Sequence, residues 1–221
     1  ITQNPALVNL NGLESLTDIN DLLEIRMNNA LVNIDGLNNV TQVGSLSVVF
    51  NSSLTNLDGL SALETLTGSA ITPGVNISFN ASLTSLEGLS QLTTIQNSTL
   101  QINSNNSLTS LSGLENIDPS SITHLYLTSS QQLSTCNVQS ICDYLSANGQ
   151  ATISGNSVGC NSIEEVEYFC EEATNCPTGD VVFTTQAEVD SFLTTYPNCT
   201  TIFGDLQIGV AEGTSNINDL S

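Results

Sequence analysis

"VVFNSSLTNLDGL", residues 48 to 60, decides how this chain is read, because it recurs. The stretches "ITQNPALVNLNGL" from Ile1, "IRMNNALVNIDGL" from Ile25, "ISFNASLTSLEGL" from Ile77 and "INSNNSLTSLSGL" from Ile102 align with it as I-x-x-N-x-x-L-x-x-L/I-x-G-L. Leu127 opens a degenerate sixth copy, and the starts at 1, 25, 48, 77, 102 and 127 are separated by 24, 23, 29, 25 and 25 residues. Self-similarity at such a period marks a repeat architecture. At about 3.3 Å per extended residue, one period makes a closed coil with three short sides, and neighbouring coils then pair as parallel strands. The expected fold is mainly β, a parallel β-solenoid of about 24-residue rungs.

The columns of the alignment have physical reasons. Asn4, Asn28, Asn51, Asn80 and Asn105 form one. There an amide that both donates and accepts satisfies turn backbone and meets its copy one rung away. Gly12, Gly36, Gly59, Gly88 and Gly113 form a second, as expected where φ is positive or two backbones approach closely. Leu7, Leu31, Leu54, Leu83 and Leu108 are expected to point inward. The third rung is longer and carries "TGSAITPGV", Thr67 to Val75, read as an outward loop with a Pro73-Gly74 turn.

A stack of this kind needs a lid, since its last rung would otherwise expose apolar side chains and strand edges. After Leu127 the pattern decays, and "NVQSICDYLSANG" reads as a helix from about Val138 to Ala147 ending near Asn148-Gly149. A strand-like "ATISG" and an acidic helix "SIEEVEYFCEEA" follow. Cys136, Cys142, Cys160 and Cys170 all fall in this cap. Four cysteines allow three pairings; Cys136 with Cys160 and Cys142 with Cys170 is the favoured one. Six cysteines with no tight CxxC pair read as disulfides in an oxidising compartment, hence a secreted or cell-surface protein.

At this point the residues resemble a known family. "LSTCNVQSI", residues 133 to 141, closing a stack of N-x-x-L rungs, is similar to the end of a receptor L domain, the leucine-rich solenoid of the insulin and epidermal growth factor receptors. "AEVDSFLTTYPNCTTIFGDLQI", Ala187 to Ile208, resembles the start of such a domain. The regular "LTSLxGL" rungs look most like tandem L-domain surface proteins of Bacteroidota. The resemblance implies a right-handed solenoid with disulfide-stapled helical caps and a pairing of Cys176 with Cys199. It also implies a domain order: residues 1–175 as rungs and C-terminal cap of one L domain, and 176–221 as the N-terminal cap and first strand of an incomplete next one. The chain is accordingly expected to be one period of a tandem array, a stalk or fibre, whose partners are adjacent copies of the same domain.

Composition and motifs narrow the function. Asp and Glu total 22 against one Arg and no Lys, for a net charge of −21. Nucleic acid and anionic membranes would repel such a chain, and no apolar run approaches the roughly 18–20 residues of a span. No GxSxG or phosphate loop occurs, no Lys can serve as base, and the lone His124 has no ligand set around it. An enzyme and a cofactor are not expected. Asp35, Asp58 and Glu87, just ahead of the glycine column, would stack about 4.8 Å apart, where like charges repel by about 1 kcal/mol per neighbour even in water. A calcium ion bridging Asp35 and Asp58 would relieve this; a solvated ladder screened by salt is the other reading. The expected function is a non-catalytic extracellular structural and adhesive module. The alternatives are a ligand-binding ectodomain that recognises a peptide or glycan, and an anchoring domain of a larger secreted enzyme.

Overall fold

A computed structural model describes the chain except for residues 69–73, 175, 176, 178, 197, 198, 200, 201, 203 and 210–221. The chain divides into two compact units, Ile1–Glu167 and Tyr168–Ser221. The division falls inside the helix Ile163–Thr174.

The first unit holds strands β1 (Asp18–Arg26), β2 (Gln42–Val49), β3 (Thr65–Leu66), β4 (Val75–Ser78), β5 (Ser98–Asn103), β6 (Ile122–Thr128) and β7 (Ala151–Ser154). They form one seven-stranded, wholly parallel sheet in the order β1-β2-β4-β5-β6-β7, with β3 also pairing β2. Ile25, Val48, Ile77, Ile102, Leu127 and Ile153 face one another in register across the sheet. The sheet therefore steps once per sequence repeat, and each repeat start from Ile25 onward becomes a strand residue.

Alternation along a strand sends two residues per strand inward. Leu23, Leu46, Val75, Leu100 and Leu125 make one layer and Ile25, Val48, Ile77, Ile102 and Leu127 the next, all buried. Leu31, Leu54, Leu83 and Leu108 are buried at zero exposure, whereas Leu7 of the first repeat is half-buried. Each such aliphatic side chain stabilises by about 1.5–3 kcal/mol relative to exposure.

Two further lines of backbone hydrogen bonds tie successive repeats. On one, Val32 donates to Val8, Thr55 to Val32 and Thr84 to Thr55; on the other, Thr41 donates to Thr17, Glu64 to Thr41, Thr93 to Glu64 and Asp118 to Thr93. Between these lines lies the glycine column, and from Gly36 onward each of its glycines stands where two backbones approach closely. A Cβ at Gly59 would overlap the Ile34 carbonyl of the preceding repeat, and one at Gly88 the Leu57 carbonyl.

The column is built in two ways. Asp35–Leu37, Asp58–Leu60 and Glu87–Leu89 are short 3-10 turns led by a carboxylate. In the first and fifth repeats Gly12 and Gly113 instead take φ of 103° and 102°, and each N–H donates to the carboxylate two residues on, Glu14 or Glu115. The insertion predicted at Thr67 to Val75 lies mostly outside the described residues.

At the end of the sheet α1 (Gln139–Ser146) buries Ser140, Ile141, Tyr144 and Leu145, and α2 (Ile163–Thr174) begins after β7. In the second unit β8 (Val181–Phe183) pairs in parallel with β9 (Leu206–Ile208), Val181 facing Leu206. The offset, 206 − 181 = 25 residues, equals a period of the first unit. Between them α3 (Gln186–Thr195) starts at Thr185 with a capping box and packs Phe192 edge-on against Phe183, ring centres 5.5 Å apart.

Candidate functional site

The asparagine column is a continuous hydrogen-bonded ladder. The backbone N–H of Asn4 donates to Oδ1 of Asn28 at 3.0 Å, Asn28 to Asn51 at 3.1 Å, Asn51 to Asn80 at 3.0 Å and Asn80 to Asn105 at 3.0 Å. Each Nδ2 reaches back to a strand carbonyl: Asn51 to Ile25, Asn80 to Val48 and Asn105 to Ile77. Asn28, Asn51, Asn80 and Asn105 have no exposed surface, so these amides are structural. The ladder then passes through residues the sequence pattern missed. Asn105 donates to Ser130 Oγ, Ser130 to Asn156 Oδ1, and Asn156 Nδ2 to the Leu127 carbonyl. The successive steps of 25 residues from Asn105 to Ser130 and 26 from Ser130 to Asn156 are the signal that could have found them.

The residue before each ladder position adopts a left-handed backbone: Gln3, Met27, Phe50, Phe79, Ser104 and Ser129, with φ from 53° to 60°, and Gly155 at 69°. Phe50 and Phe79 are thereby held outward, partly exposed, and stack with ring centres 4.5 Å apart and planes within 6°. A second column also escaped the sequence reading. Side-chain oxygens of Asn9, Asn33, Asn56, Ser85 and Ser110 accept from the N–H two residues on, at 3.0–3.4 Å.

That turn positions the carboxylates of Asp35, Asp58 and Glu87. All three are exposed and each opens a 3-10 turn, where a negative side chain complements free N–H groups. Among the described residues no group of three or more His, Cys, Asp or Glu is gathered closely enough to hold a metal. A cation on this ladder would have neighbouring carboxylate pairs and water as ligands.

Cys136 and Cys160 form a disulfide, 24 residues apart with Cα atoms 5.5 Å apart, and both residues are fully buried. Cys142, Cys170 and Cys199 are also disulfide-bonded. Cys176, the partner expected for Cys199, lies outside the described residues. Cystines of this kind point to an oxidising, extracellular setting. Among the described residues no helix is long and apolar enough to cross a membrane. Tyr144, on the buried side of α1, donates to the Gln150 carbonyl at 2.8 Å, and burial raises its phenol above the usual range.

The outward face of the sheet has a distinct chemistry. No Asp, Glu, Lys or Arg falls in any strand from β2 to β7, although the chain holds 22 acids. Facing out in register are Asn76, Gln101, Tyr126 and Thr152, flanked by Asn103 and His124, most of them half-buried. His124 stacks on Tyr126 with ring centres 4.1 Å apart, and its Nε2 lies 3.2 Å from Thr152 Oγ1. This places the lone histidine in an amide, hydroxyl and aromatic surface.

No family model, curated protein or solved structure matches this chain.

Proposed function

We propose that the chain is a non-catalytic structural and adhesive module of a secreted or cell-surface protein, a right-handed parallel β-solenoid of the receptor L-domain kind, joined to further copies of itself in a stalk or fibre. The observation that carries this reading is the parallel pairing of β8 with β9 at a 25-residue offset. The second unit starts the same rung geometry as the first, as tandem domains would. The polar residues that define the repeat support a structural role, since the ladder amides are spent on internal hydrogen bonds. Electron microscopy of the native polypeptide tests the proposal. Surface rods built of evenly spaced segments are expected; compact particles free of the surface would overturn it.

A second reading, a ligand-binding ectodomain, is favoured by the outward face of β4 to β7. In a chain of net charge −21, a charge-free surface of amides beside an aromatic pair suits a neutral saccharide, whose hydroxyls pair with amides and whose C–H faces pack on rings. Calorimetry with neutral tetrasaccharides should give saturable heat that Tyr126→Ala and Gln101→Ala abolish. No heat from any neutral oligosaccharide would remove this reading and leave the first standing.

A further inference from the structure

The chain contains two Asn-Gly pairs, Asn11-Gly12 and Asn148-Gly149, and the structure treats them oppositely. We infer that Asn11 is a site of spontaneous deamidation, with the Glu14 carboxylate as the local base, and that Asn148 is protected.

In this reaction the backbone nitrogen of the following glycine loses its proton and attacks the asparagine side-chain carbon. A C–N bond forms, ammonia leaves, and the resulting succinimide is opened by water at either carbonyl to aspartate or isoaspartate. Net, one water enters and one ammonia departs, with no oxidant or reductant. Glycine is the favourable follower because it has no Cβ to block the approach and can adopt backbone angles closed to other residues.

At Asn11 the requirements coincide. Asn11, Gly12 and Glu14 are exposed, so water and departing ammonia have access. Gly12 has φ of 103°, a backbone conformation that glycine adopts readily and other residues do not. The Gly12 N–H donates to both oxygens of Glu14 at 2.9 Å, which aims the proton that must leave at a carboxylate. That same bond holds the carboxyl of Glu14 below its usual range, so at neutral pH the acceptor is the anion.

The fifth repeat has the same clasp, Gly113 N–H on Glu115 at 2.8 Å, but Ser112 precedes the glycine and has no amide to lose. In the second to fourth repeats the residue before glycine is Asp35, Asp58 or Glu87. Conversion at position 11 would extend that carboxylate column by one repeat.

At Asn148 the geometry opposes the reaction. The Gly149 N–H donates to the Tyr144 carbonyl at 3.0 Å in the helix end, so its proton faces no base. A Cβ on Gly149 would overlap the Tyr144 ring, so the backbone is wedged against a side chain that is itself buried and cannot swing to close a ring.

Mass spectrometry of the intact chain, incubated at mildly alkaline pH, tests this. With one Arg and no Lys, trypsin is a poor mapping enzyme, and pepsin peptides serve instead. Position 11 should convert at least tenfold faster than position 148, Glu14→Gln should slow it severalfold, and full unfolding in denaturant should largely erase the difference. Circular dichroism of Glu14→Gln checks that the repeat remains folded. Conversion at 148 as fast as at 11, or an unchanged rate in the folded Glu14→Gln protein, overturns the inference.

Discussion

At Asn80 four polar groups meet where water does not reach. Its Oδ1 accepts from the Asn51 N–H, its Nδ2 donates to the Val48 carbonyl, and its own N–H donates to Asn105. Asn80→Ala would leave the Asn51 N–H buried without this acceptor, at about 1–3 kcal/mol, and would remove one hydrogen bond from the carbonyl of Val48, which lies in the paired strand β2. Urea unfolding of Asn80→Ala should show a loss of about 2–5 kcal/mol. Asn4→Ala, at the exposed end of the same ladder, should cost under about 0.5 kcal/mol. Equal effects at the two positions would mean that burial does not set the ladder's worth. The residues at positive φ just before the ladder are tolerated for the same reason. About 1–2 kcal/mol of backbone strain at Phe50 or Phe79 is held in place by hydrogen bonds on either side.

Elements depend on local fasteners in proportion to how little core lies under them. The lid of the first unit rests on α1 and the Cys136–Cys160 disulfide, which closes 24 residues of chain. For a loop of that length the unfolded-state effect is about 3 kcal/mol. Cys136→Ala with Cys160→Ala is therefore expected to lower stability by about that amount, and proteolysis should begin in the last repeats. In the second unit α3 is fastened by Glu188, whose carboxylate accepts from the N–H groups of Thr184 and Thr185 and from the Thr184 hydroxyl. The Thr184 N–H is the largest cause that holds its carboxyl below the usual range. A carboxyl with a depressed folded value stabilises above its unfolded value and loses that contribution as pH falls through the folded one. Helicity of α3, followed by amide exchange, should therefore fray on acidification below about pH 4.5, and Glu188→Gln should remove that pH dependence.

For the molecule as a whole, charge is the dominant field. A net charge of −21 with a single basic residue repels itself, and salt shortens the range of that repulsion from about 10 Å at 0.1 M to about 3 Å at 1 M. The thermal midpoint should rise with added sodium chloride. Asp35, Asp58 and Glu87 stand exposed at the openings of separate turns, so calcium chloride at matched ionic strength should give the same rise. An additional calcium-specific increase, lost in Asp58→Asn, would show a bound ion on this ladder.

The sequence by itself determined the period, the strand register and the inward leucines. Each is a local choice repeated at fixed spacing, so copies must meet in register or strand their apolar side chains in water. It also determined that Asn51, Asn80 and Asn105 form one column and that Cys136 sits in a lid. Only the tertiary structure decided why the glycines are needed, because the Ile34 and Leu57 carbonyls that crowd Gly59 and Gly88 come from the preceding repeat. The same holds for the continuation of the ladder through Ser130 and Asn156, where a change of residue type hid the column while the backbone geometry preserved it. The charge-free outer face is another case, since Asn76, Gln101 and Tyr126 lie 25 residues apart in the chain and become neighbours only when parallel strands pair.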